Sequence, residues 1–337
     1  MSEKAVPPAV NPAITGKDVL ITGGGGSIGS ELARQVYRFA PRSLTLLDIN
    51  ENSLYLLTQC LSRKGGTPVM PQVISIRDRK ALFRLFAQLH PQTVLHAAAH
   101  KHVPLMEQNP DQAVKNNIFG TINLFDAAQA YQAEKVLLIS TDKAVRPSSV
   151  MGATKRICEQ LCLDREGPVF TAVRFGNVMN SAGSVLPLFR QQLREEKKIL
   201  LTDRRMTRYF LSIPQAAELV LHAAAKNRPG KIYMLDMGQP VSIGQLAMQV
   251  IKEEGFAPNE VEIVETGIRP GEKLEELLFS SDERFVPTDI AGLLAADACP
   301  EYTVLEKERL LKQLKNAADN GDAPAIRSLL GLQEDNG

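Results

Sequence analysis

The fold is decided by the stretch Thr22-Gly23-Gly24-Gly25-Gly26-Ser27-Ile28-Gly29, which follows a short apolar run and precedes an amphipathic one. Its glycines at positions 23, 26 and 29 fit the spacing Gly-x-x-Gly-x-x-Gly. Glycine lets the turn tighten and lets the backbone approach a pyrophosphate, whose negative charge is favourable at the open amides of a helix N-terminus. The order of strand, glycine turn and helix therefore predicts a dinucleotide site that includes Gly23, Gly26, Ser27, Ile28 and Gly29.

Short runs rich in leucine and β-branched residues alternate with longer amphipathic runs through the first half of the chain. Such alternation requires crossover helices on both faces of a parallel sheet. It predicts an α/β fold, a doubly wound parallel sheet with a smaller carboxy-terminal lobe. The strands predicted from these runs are Val19–Thr22, Leu44–Asp48, Val69–Ile74, Thr93–Ala97, Lys135–Ser140 and Val169–Phe175.

The alternation breaks after Gly176, which suggests a division of the chain at that point. We expect residues 14–176 to form the nucleotide-binding domain and residues 177–337 to form a substrate-binding lobe with carboxy-terminal helices. Residues 206–235 are expected to return to the first domain through the strands Tyr209–Ile213 and Lys231–Asp236. Residues 1–13, rich in alanine and proline, are predicted to be a flexible tail or linker.

An acidic residue ends the second predicted strand, at about the 20-residue distance from the glycine turn that dinucleotide sites show. Asp48 in this position suits both ribose hydroxyls, and Ile49-Asn50 offers no arginine for a 2′-phosphate, which favours NAD over NADP. The alternative role for Asp48 is to cap the helix that follows. Asp78 has two open interpretations: it receives an adenine amine, or it caps a helix that starts at Arg79.

Charge and hydropathy exclude several classes of partner. The 337 residues carry a net charge of +1, with Lys and Arg spread through the sequence. Nucleic acid and anionic membranes are therefore not expected partners, since both require a basic stripe. No apolar run approaches the roughly 20 residues of a membrane helix, and no signal segment begins the chain. We expect a cytoplasmic protein.

The cysteines and histidines do not predict a metal site. Cys158 and Cys162 are four residues apart but lack a second pair, so we expect buried, reduced thiols for these two and for Cys60 and Cys299. The histidines at positions 96, 100 and 102 have no acidic or cysteine partner in their loop. We expect a core position for the first of them, and substrate contacts for Lys101 and His102.

Several longer motifs carry a resemblance to the extended short-chain dehydrogenase/reductases (SDRs). They are the glycine turn, Asn117-Ile118-Phe119-Gly120-Thr121, Met151-x-x-x-Lys155 and Arg174-Phe175-Gly176-Asn177. A narrower resemblance, from Gly16 to about Phe279, is to the nucleotide-sugar 4,6-dehydratases of bacterial polysaccharide and glycan synthesis. It rests on the motifs His96–Pro104, Ser140–Ala144, Met206–Phe210 and Arg269–Lys273.

The resemblance implies a Rossmann fold, a tightly bound NAD that is regenerated in each turnover, and a UDP-sugar substrate. It also implies a homo-oligomer, for which we expect the apolar run Ala113–Ala130 to form an interface. Because many members carry a membrane domain, the chain is either a short member or an excised portion located at the cytoplasmic face of a membrane. Further cofactor contacts implied are Ile76, Ala97, Ala98, Asn117 and Lys155.

Ser140-Thr141-Asp142-Lys143 and Met151 define the predicted chemistry, since methionine replaces the tyrosine base of the superfamily. The resemblance implies that Thr141 hydrogen-bonds the sugar O4 and that Met151 is typical of UDP-N-acetylglucosamine 4,6-dehydratases that retain the C5 configuration. We expect Asp142 to take the O4 proton and later protonate the C6 hydroxyl. Lys143, with a lowered pKa, is expected to remove the C5 hydrogen. The alternative is an ordinary turn with a solvated lysine.

The nucleotide half of the substrate requires positive charge and hydrogen-bond donors. Arg208 and Arg269 are the predicted diphosphate ligands, while Arg174 has a structural alternative. The phosphate is expected near Asn177 and Ser184, and the uridine ribose near Glu272. Two other functions stay open: a nucleotide-sugar 4-epimerase, and a non-catalytic NAD-binding sensor or scaffold.

Overall fold

The computed structural model describes residues 10–163, 165–226, 228–297 and 300–332. Its strands are β1 (Asp18–Thr22), β2 (Ser43–Asp48), β3 (Val69–Val73), β4 (Thr93–His96), β5 (Lys135–Ile139), β6 (Val169–Arg174), β7 (Asn177–Met179), β8 (Lys198–Leu201), β9 (Thr207–Arg208), β10 (Phe210–Ser212), β11 (Lys231–Leu235), β12 (Val241–Ser242), β13 (Glu262–Glu265), β14 (Val286–Pro287) and β15 (Leu293–Asp297).

The helices alternate with the strands through the first half of the chain. They are α1 (Ser27–Arg38), α2 (Glu51–Ser62), α3 (Arg79–Leu89), α4 (Val103–Gln108), α5 (Pro110–Ala113), α6 (Gly120–Ala130), α7 (Val150–Leu163), α8 (Val185–Glu196), α9 (Ile213–Ala225), α10 (Ile243–Glu253), α11 (Val304–Asp319) and α12 (Ala323–Leu329). A π-helical turn, Val114–Phe119, joins α5 to α6, and short 3-10 turns cover Asp142–Ala144 and Pro258–Glu260.

One nine-stranded sheet has the order β14-β15-β11-β6-β5-β4-β1-β2-β3. All neighbours from β3 to β11 pair in parallel, and β15 pairs antiparallel with β11 and β14. The chain winds outward from β1 in one direction and from β4 in the other, so the predicted doubly wound sheet is confirmed. In such sheets the ligand crevice lies beyond the carboxyl ends of the strands where the winding direction reverses.

Successive residues of each strand point to opposite faces of the sheet, and helices cover both faces. In β1, Ile21 belongs to the hydrophobic cluster formed with α1, α2 and α9. Its neighbour Leu20 belongs to the cluster formed with α3, α6, α7 and α11. A third cluster lies between α8, α10 and the parallel pair β8 and β13, and includes Phe189, Ile199 and Val250. This two-stranded sheet is separate from the main sheet. The domain boundary predicted at residue 176 stays a prediction.

Two expectations about the strands and the tail require correction. Tyr209–Ile213 was expected in the main sheet, but β5 and β11 already pair with the two sides of β6, and β10 pairs with β7 in a separate two-stranded sheet. Within the predicted tail, residues 1–9 lie outside the described residues, Val10 and Pro12 are exposed, and Asn11 and Ala13 are buried. Asn11 is 5% exposed and its Nδ2 donates to Leu221 O at 3.1 Å, so the folded chain begins before residue 14.

The surface expected to form an oligomer interface is occupied by the chain itself. The apolar side chains of Ala113–Ala130 include Val114 and Ile118, which are fully buried. They share a hydrophobic cluster with Leu314 of α11 and Ile326 of α12, so this run is a core element and offers no free apolar face. Within the described part of the chain, no helix combines the length and the apolar character needed to span a membrane.

Candidate functional site

Two glycines of the turn between β1 and α1, Gly23 and Gly29, leave no room for a side chain. Gly23 has a φ of +68°, and a Cβ on it would lie 2.7 Å from the backbone of Ala97. A Cβ on Gly29 would lie 2.0 Å from Gly23 O. Gly26 occupies the N-cap of α1 and has no side chain to satisfy the first amides of the helix. The amides of Gly24 and Gly26 donate to Leu47 O at 3.1 Å and to Gly23 O at 3.0 Å, and Ser30 N makes the first bond of the helix, to Gly26 O at 2.9 Å. The cradle for a pyrophosphate is therefore the start of α1, where the N–H groups of residues 27–29 precede that first bond.

Asp48 lies beside this cradle and does not cap the next helix. Its Oδ2 accepts a hydrogen bond from Gly25 N at 2.9 Å, and its Oδ1 accepts one from Asn50 N at 3.0 Å. The helix cap of α2 is Asn50, which accepts from Ser53 N. The carboxylate thus faces the turn, where a ribose bound to that turn would lie.

Asp78 and Ile76 have packing roles in the described structure. Asp78 caps α3, because its Oδ1 accepts from Ala81 N at 2.9 Å, which is the second of the two interpretations left open by the sequence. Ile76 is 3% exposed, and its side chain fills the space that a Cβ on Gly120 would need. An adenine contact by either residue stays a prediction.

The residues that follow β4, Ala97 and Ala98, lie next to the glycine turn and are held there by hydrogen bonds. Ala97 N donates to Thr22 O at 3.1 Å and Ala98 N donates to Thr22 Oγ1 at 3.3 Å. His96 lies between Thr22 Oγ1 (2.7 Å) and Thr121 Oγ1 (2.9 Å), and burial lowers its pKa to about 3. Since both ring nitrogens are occupied and the ring is neutral, His96 is a core residue, as expected.

Asn117 holds the loop that follows Ala97 and Ala98 in place through three hydrogen bonds. Its Oδ1 accepts from His100 N at 2.8 Å, and its Nδ2 donates to His100 O and to Thr154 Oγ1, both at 3.1 Å. Asn117 lies in the π-helical turn, whose extra residue per turn presents the amide toward α7. The predicted cofactor residue is therefore also a bridge between the loop after β4 and α7.

Met151 and Lys155 lie one turn apart on α7 and have different surroundings. Met151 is 3% exposed and packs in an apolar cluster with Val103 and Met106. Lys155 Nζ donates to Ile139 O at 2.6 Å, at the carboxyl end of β5. Burial lowers the pKa of Lys155. The ammonium therefore stands at the crevice edge of the sheet.

Asp142 is completely buried and has one open oxygen. Its Oδ1 accepts from Thr141 Oγ1 at 2.8 Å and from Lys143 Nζ at 3.0 Å. Its Oδ2 has no hydrogen-bond partner in the part of the chain that the structure describes. A Cβ on Gly176 would lie 3.0 Å from Oδ2, so this glycine keeps the space beside the carboxylate free. The Oδ2 atom therefore keeps lone pairs that can accept a hydrogen bond from a group that enters this space.

Lys143 is held by two carboxylates and an amide. Its Nζ lies 3.0 Å from Asp142 Oδ1, 3.3 Å from Asn177 Oδ1 and 3.7 Å from Glu276 Oε1. Burial opposes the charged amine, but the negative charges of Asp142 and Glu276 outweigh it and raise the pKa of Lys143. The lowered pKa expected from the sequence is therefore wrong for the ligand-free site, where Lys143 carries its proton.

Glu276 was missed by sequence reasoning. Its side chain is 4% exposed, its Oε1 lies 4.0 Å from Arg208 Nη2, and its Oε2 is buried without a hydrogen-bond partner among the described residues. The segment 269–276 contains no helix or strand, so it has no period that could distinguish buried Glu276 from its exposed neighbour Glu275.

Arg208 holds this segment instead of standing free for a phosphate. Its Nη1 donates to Leu274 O at 3.0 Å, its Nη2 donates to Lys273 O at 2.8 Å, and the residue is 6% exposed. These bonds let Arg208 position the segment, and its predicted contact with the diphosphate stays a prediction. Arg269 is exposed, and Glu272 Oε2 has no partner among the residues the structure describes.

The predicted substrate residues Lys101, His102 and Ser184 converge on one loop near the glycine turn. Lys101 Nζ donates to Ala182 O at 2.9 Å, and the ring of His102 fills the space next to Gly183. Ala182 N donates to Ser27 Oγ at 3.0 Å. Ser184 is the N-cap of α8, and its buried Oγ has no partner in the described chain.

Arg174 and the buried thiol of Cys158 have structural contacts. Arg174 is 1% exposed and its Nη2 lies 2.7 Å from Glu159 Oε2, while its Nη1 lies 2.7 Å from Glu283 Oε2. This network is the structural alternative that the sequence left open. The thiol of Cys158 donates to Asn117 O, and burial raises its pKa to about 11. Cys60 is exposed, contrary to expectation, and Cys299 lies outside the described residues.

Comparisons with known proteins give a consistent family. A family model described as "Polysaccharide biosynthesis protein" matches residues 19–297. The capsular polysaccharide biosynthesis protein CapD of Staphylococcus aureus is 45% identical over 313 residues, which cover 91% of this chain and 52% of CapD. This chain thus spans about half the length of CapD.

Two further relatives are similar over most of their length. The UDP-N-acetylglucosamine 4,6-dehydratase (inverting) of Campylobacter jejuni is 32% identical over 87% of this chain and 85% of that protein. The X-ray structure of Pen from Bacillus thuringiensis is 31% identical, with a TM-score of 0.78 over 90% of this chain and 98% of Pen.

Proposed function

Because the chain belongs to the polysaccharide biosynthesis protein family, we propose that it is an NAD-dependent nucleotide-sugar 4,6-dehydratase acting on UDP-N-acetylglucosamine. The family resemblance predicted from the motifs is confirmed, whereas the substrate and the outcome at C5 are proposals. The observation that carries the activity is the contact of buried Asp142, which has an open carboxylate oxygen, with the partly exposed Lys143. An acid and an amine in contact suit an elimination beside a ketone.

The turn and its surroundings fit NAD. The cradle of Gly23, Gly26, Ser27, Ile28 and Gly29 would hold the pyrophosphate, and Asp48 would accept the adenosine ribose hydroxyls. The other contacts assigned to the cofactor are Ile76, Asp78, Ala97, Ala98, Asn117 and Lys155. When bound, NAD supplies the acceptor for the C4 hydride and the donor that returns it to C6.

Asp142 takes the place of the missing phenol in the proposed reaction. A thioether cannot accept a proton, so Met151 shapes the site and does not act as a base. The sugar O4 donates to Asp142 Oδ2, oriented by Thr141, whose hydroxyl lies 2.8 Å from Asp142 Oδ1. Oxidation at C4 leaves this proton on Asp142, and the carboxyl group then delivers it to the C6 hydroxyl, which departs as water.

Lys143 is the proposed base for the C5 hydrogen, which the new C4 ketone makes acidic. Asp142 is the first of the charges that hold a proton on Lys143. Once Asp142 is neutral, this charge is gone, and the pKa of Lys143 falls at the step where a free amine is needed. The same amine returns the proton to C5. We propose retention of the C5 configuration because Met151 stands at the tyrosine position.

The nucleotide half would lie along the loop at residues 182–184 and the segment 269–276. Lys101, His102, Asn177 and Ser184 would contact the phosphate side, and Arg269 and Glu272 would contact the diphosphate and the uridine ribose. Arg208 would act by holding the segment. A cytoplasmic location and a homo-oligomer stay predictions.

Product analysis tests the function. The protein as purified, with no added nicotinamide, is incubated with UDP-N-acetylglucosamine in D₂O and the product is examined by NMR. We expect a C6 methyl group, a C4 ketone and deuterium at C5 with the original configuration. A changed C4 configuration would identify an epimerase, an inverted C5 would refute retention, and no reaction with several nucleotide sugars would favour the sensor.

A further inference from the structure

A proton must leave Lys143 before this residue can act as a base, and the structure offers one group to receive it. We infer that Glu276 is the acceptor of this proton, so that Lys143, Glu276 and Asp142 form a three-member proton relay. This inference rests on the proposed function, since it concerns the C5 step of the same reaction.

Geometry selects Glu276 from the groups around Lys143. The charged groups that face Lys143 are Asp142 on its own turn, Glu276, Arg208 and, farther away, Lys273. Arg208 and Lys273 are cations, and the Asn177 amide has no basic site. Asp142 is already committed to the O4 proton. Glu276 is therefore the carboxylate in the described site that does not already receive a proton in the proposed reaction.

The Oε2 atom of Glu276 gives the inference a specific destination for the proton. It is buried and has no hydrogen-bond partner among the described residues, although its partner oxygen lies 3.7 Å from Lys143 Nζ. Buried carboxylate oxygens are normally satisfied, so an open one beside an ammonium group requires an explanation. A distance of 3.7 Å is an ion-pair distance, and a movement of about 1 Å would convert it into a hydrogen bond.

Burial favours the transfer once the substrate covers the site. A charged pair away from water loses solvation on both members, whereas a neutral amine and a carboxylic acid do not. In the resting site, Lys143 is stabilised by two negative charges, those of Asp142 and Glu276. After Asp142 has taken the O4 proton, one negative charge remains, and transfer to Glu276 leaves all three groups neutral.

The relay balances in atoms and charge. An N–H bond of Lys143 breaks and an O–H bond forms on Glu276. The amine then forms a bond to the C5 hydrogen, and the electron pair of the C5–H bond forms the C5–C6 double bond while C6–O breaks. Asp142 gives O6 the proton that came from O4, so water leaves. Lys143 returns its proton to C5 as hydride returns to C6, and Glu276 returns its proton to Lys143.

The test uses Glu276→Gln, with Glu275→Gln as the matched control because residue 275 is the exposed neighbour. Excess enzyme is mixed with UDP-N-acetylglucosamine and quenched with borodeuteride, which marks a C4 ketone with deuterium. Mass spectrometry then separates sugars that retain the C6 hydroxyl from sugars with a C6 methyl. A melting curve establishes that each variant is folded.

For Glu276→Gln we expect oxidised sugar that retains its C6 hydroxyl, with elimination about 100-fold slower, the lower end of the range for proton-transfer groups. Glu276→Asp should restore part of the rate, because it keeps a carboxylate. Elimination by Glu276→Gln should also rise with pH, since Lys143 must then lose its proton to solvent.

Two results would overturn the inference. In the first, the maximal elimination rate of Glu276→Gln equals that of the wild type and its curve of rate against pH is only displaced to lower pH. Glu276 then acts merely as a fixed charge. If the folded variant loses C4 oxidation and elimination equally, its role is not specific to Lys143. Failure of the proposed function is a separate outcome, since the wild-type protein and Glu275→Gln would then form no methyl sugar.

Discussion

Replacing Asp142 by asparagine tests the base that stands in for tyrosine. Asparagine has the same size and keeps one carbonyl oxygen, so the contacts at 2.8 Å to Thr141 and 3.0 Å to Lys143 can persist. The amide cannot take the O4 proton or deliver a proton to O6. The proposed mechanism uses this carboxylate in two steps, and one proton-transfer group contributes roughly 10² to 10⁴ in rate, so we expect a loss of at least about 10³.

A loss of about 10³ corresponds to about 4 kcal/mol of transition-state stabilisation. The assay is the initial rate of methyl-sugar formation at saturating substrate, followed by NMR, with Asp319→Asn on the exposed side of α11 as the control. NAD content and the melting temperature of both variants should match the wild type. A rate for Asp142→Asn within tenfold of the control would refute the assignment of Asp142 as the proton acceptor.

Three further predictions concern the scaffold. Glu159→Ala removes one of the two carboxylates that pair with buried Arg174. It should reduce the free energy of unfolding by about 3–5 kcal/mol, measured by urea denaturation. A change below about 1 kcal/mol would show that the pair is dispensable. Gly29→Ala places a Cβ 2.0 Å from Gly23 O and should abolish copurification of NAD, and normal NAD content would refute the cradle. Burial alone would raise the pKa of Glu283, but Arg174, the backbone amide of Ser280 and Arg156 together lower it from 4.5 to about 2. Its contribution to stability is therefore complete above pH 4.5 and is lost as the pH falls towards 2, so Glu283→Gln should flatten acid denaturation in that interval.

The main sheet could be predicted from sequence because each of its parallel strands is a short apolar run bounded by an amphipathic helix. The glycine turn was predictable for a similar reason, since its spacing reports a local backbone requirement. The strand at residues 209–213 was assigned to the wrong sheet because short strands carry no information about their partner. The pairing of β10 with β7 is a contact between separate strands, which the sequence of neither strand specifies.

Contacts in the candidate site could be predicted where its residues are adjacent in sequence. Contacts between residues far apart in sequence could not. Thr141, Asp142 and Lys143 are consecutive, so their proximity follows from the chain itself. The raised pKa of Lys143 depends partly on Glu276, which is distant in sequence and belongs to a segment without regular structure. The hydrogen bonds of Arg208 to Leu274 O and Lys273 O are also long-range, and a sequence motif shows the charge of this residue but not those partners.

The central claim is that a lysine and a carboxylate carry out the elimination in a site without the tyrosine. Single-turnover analysis of Lys143→Met, with the borodeuteride quench, measures this most directly, because it asks whether oxidation and water loss can be separated at one residue. We expect Lys143→Met to yield a sugar marked with deuterium at C4 that still carries its C6 hydroxyl. A folded Lys143→Met variant that forms the C6 methyl sugar at close to the wild-type rate would contradict it.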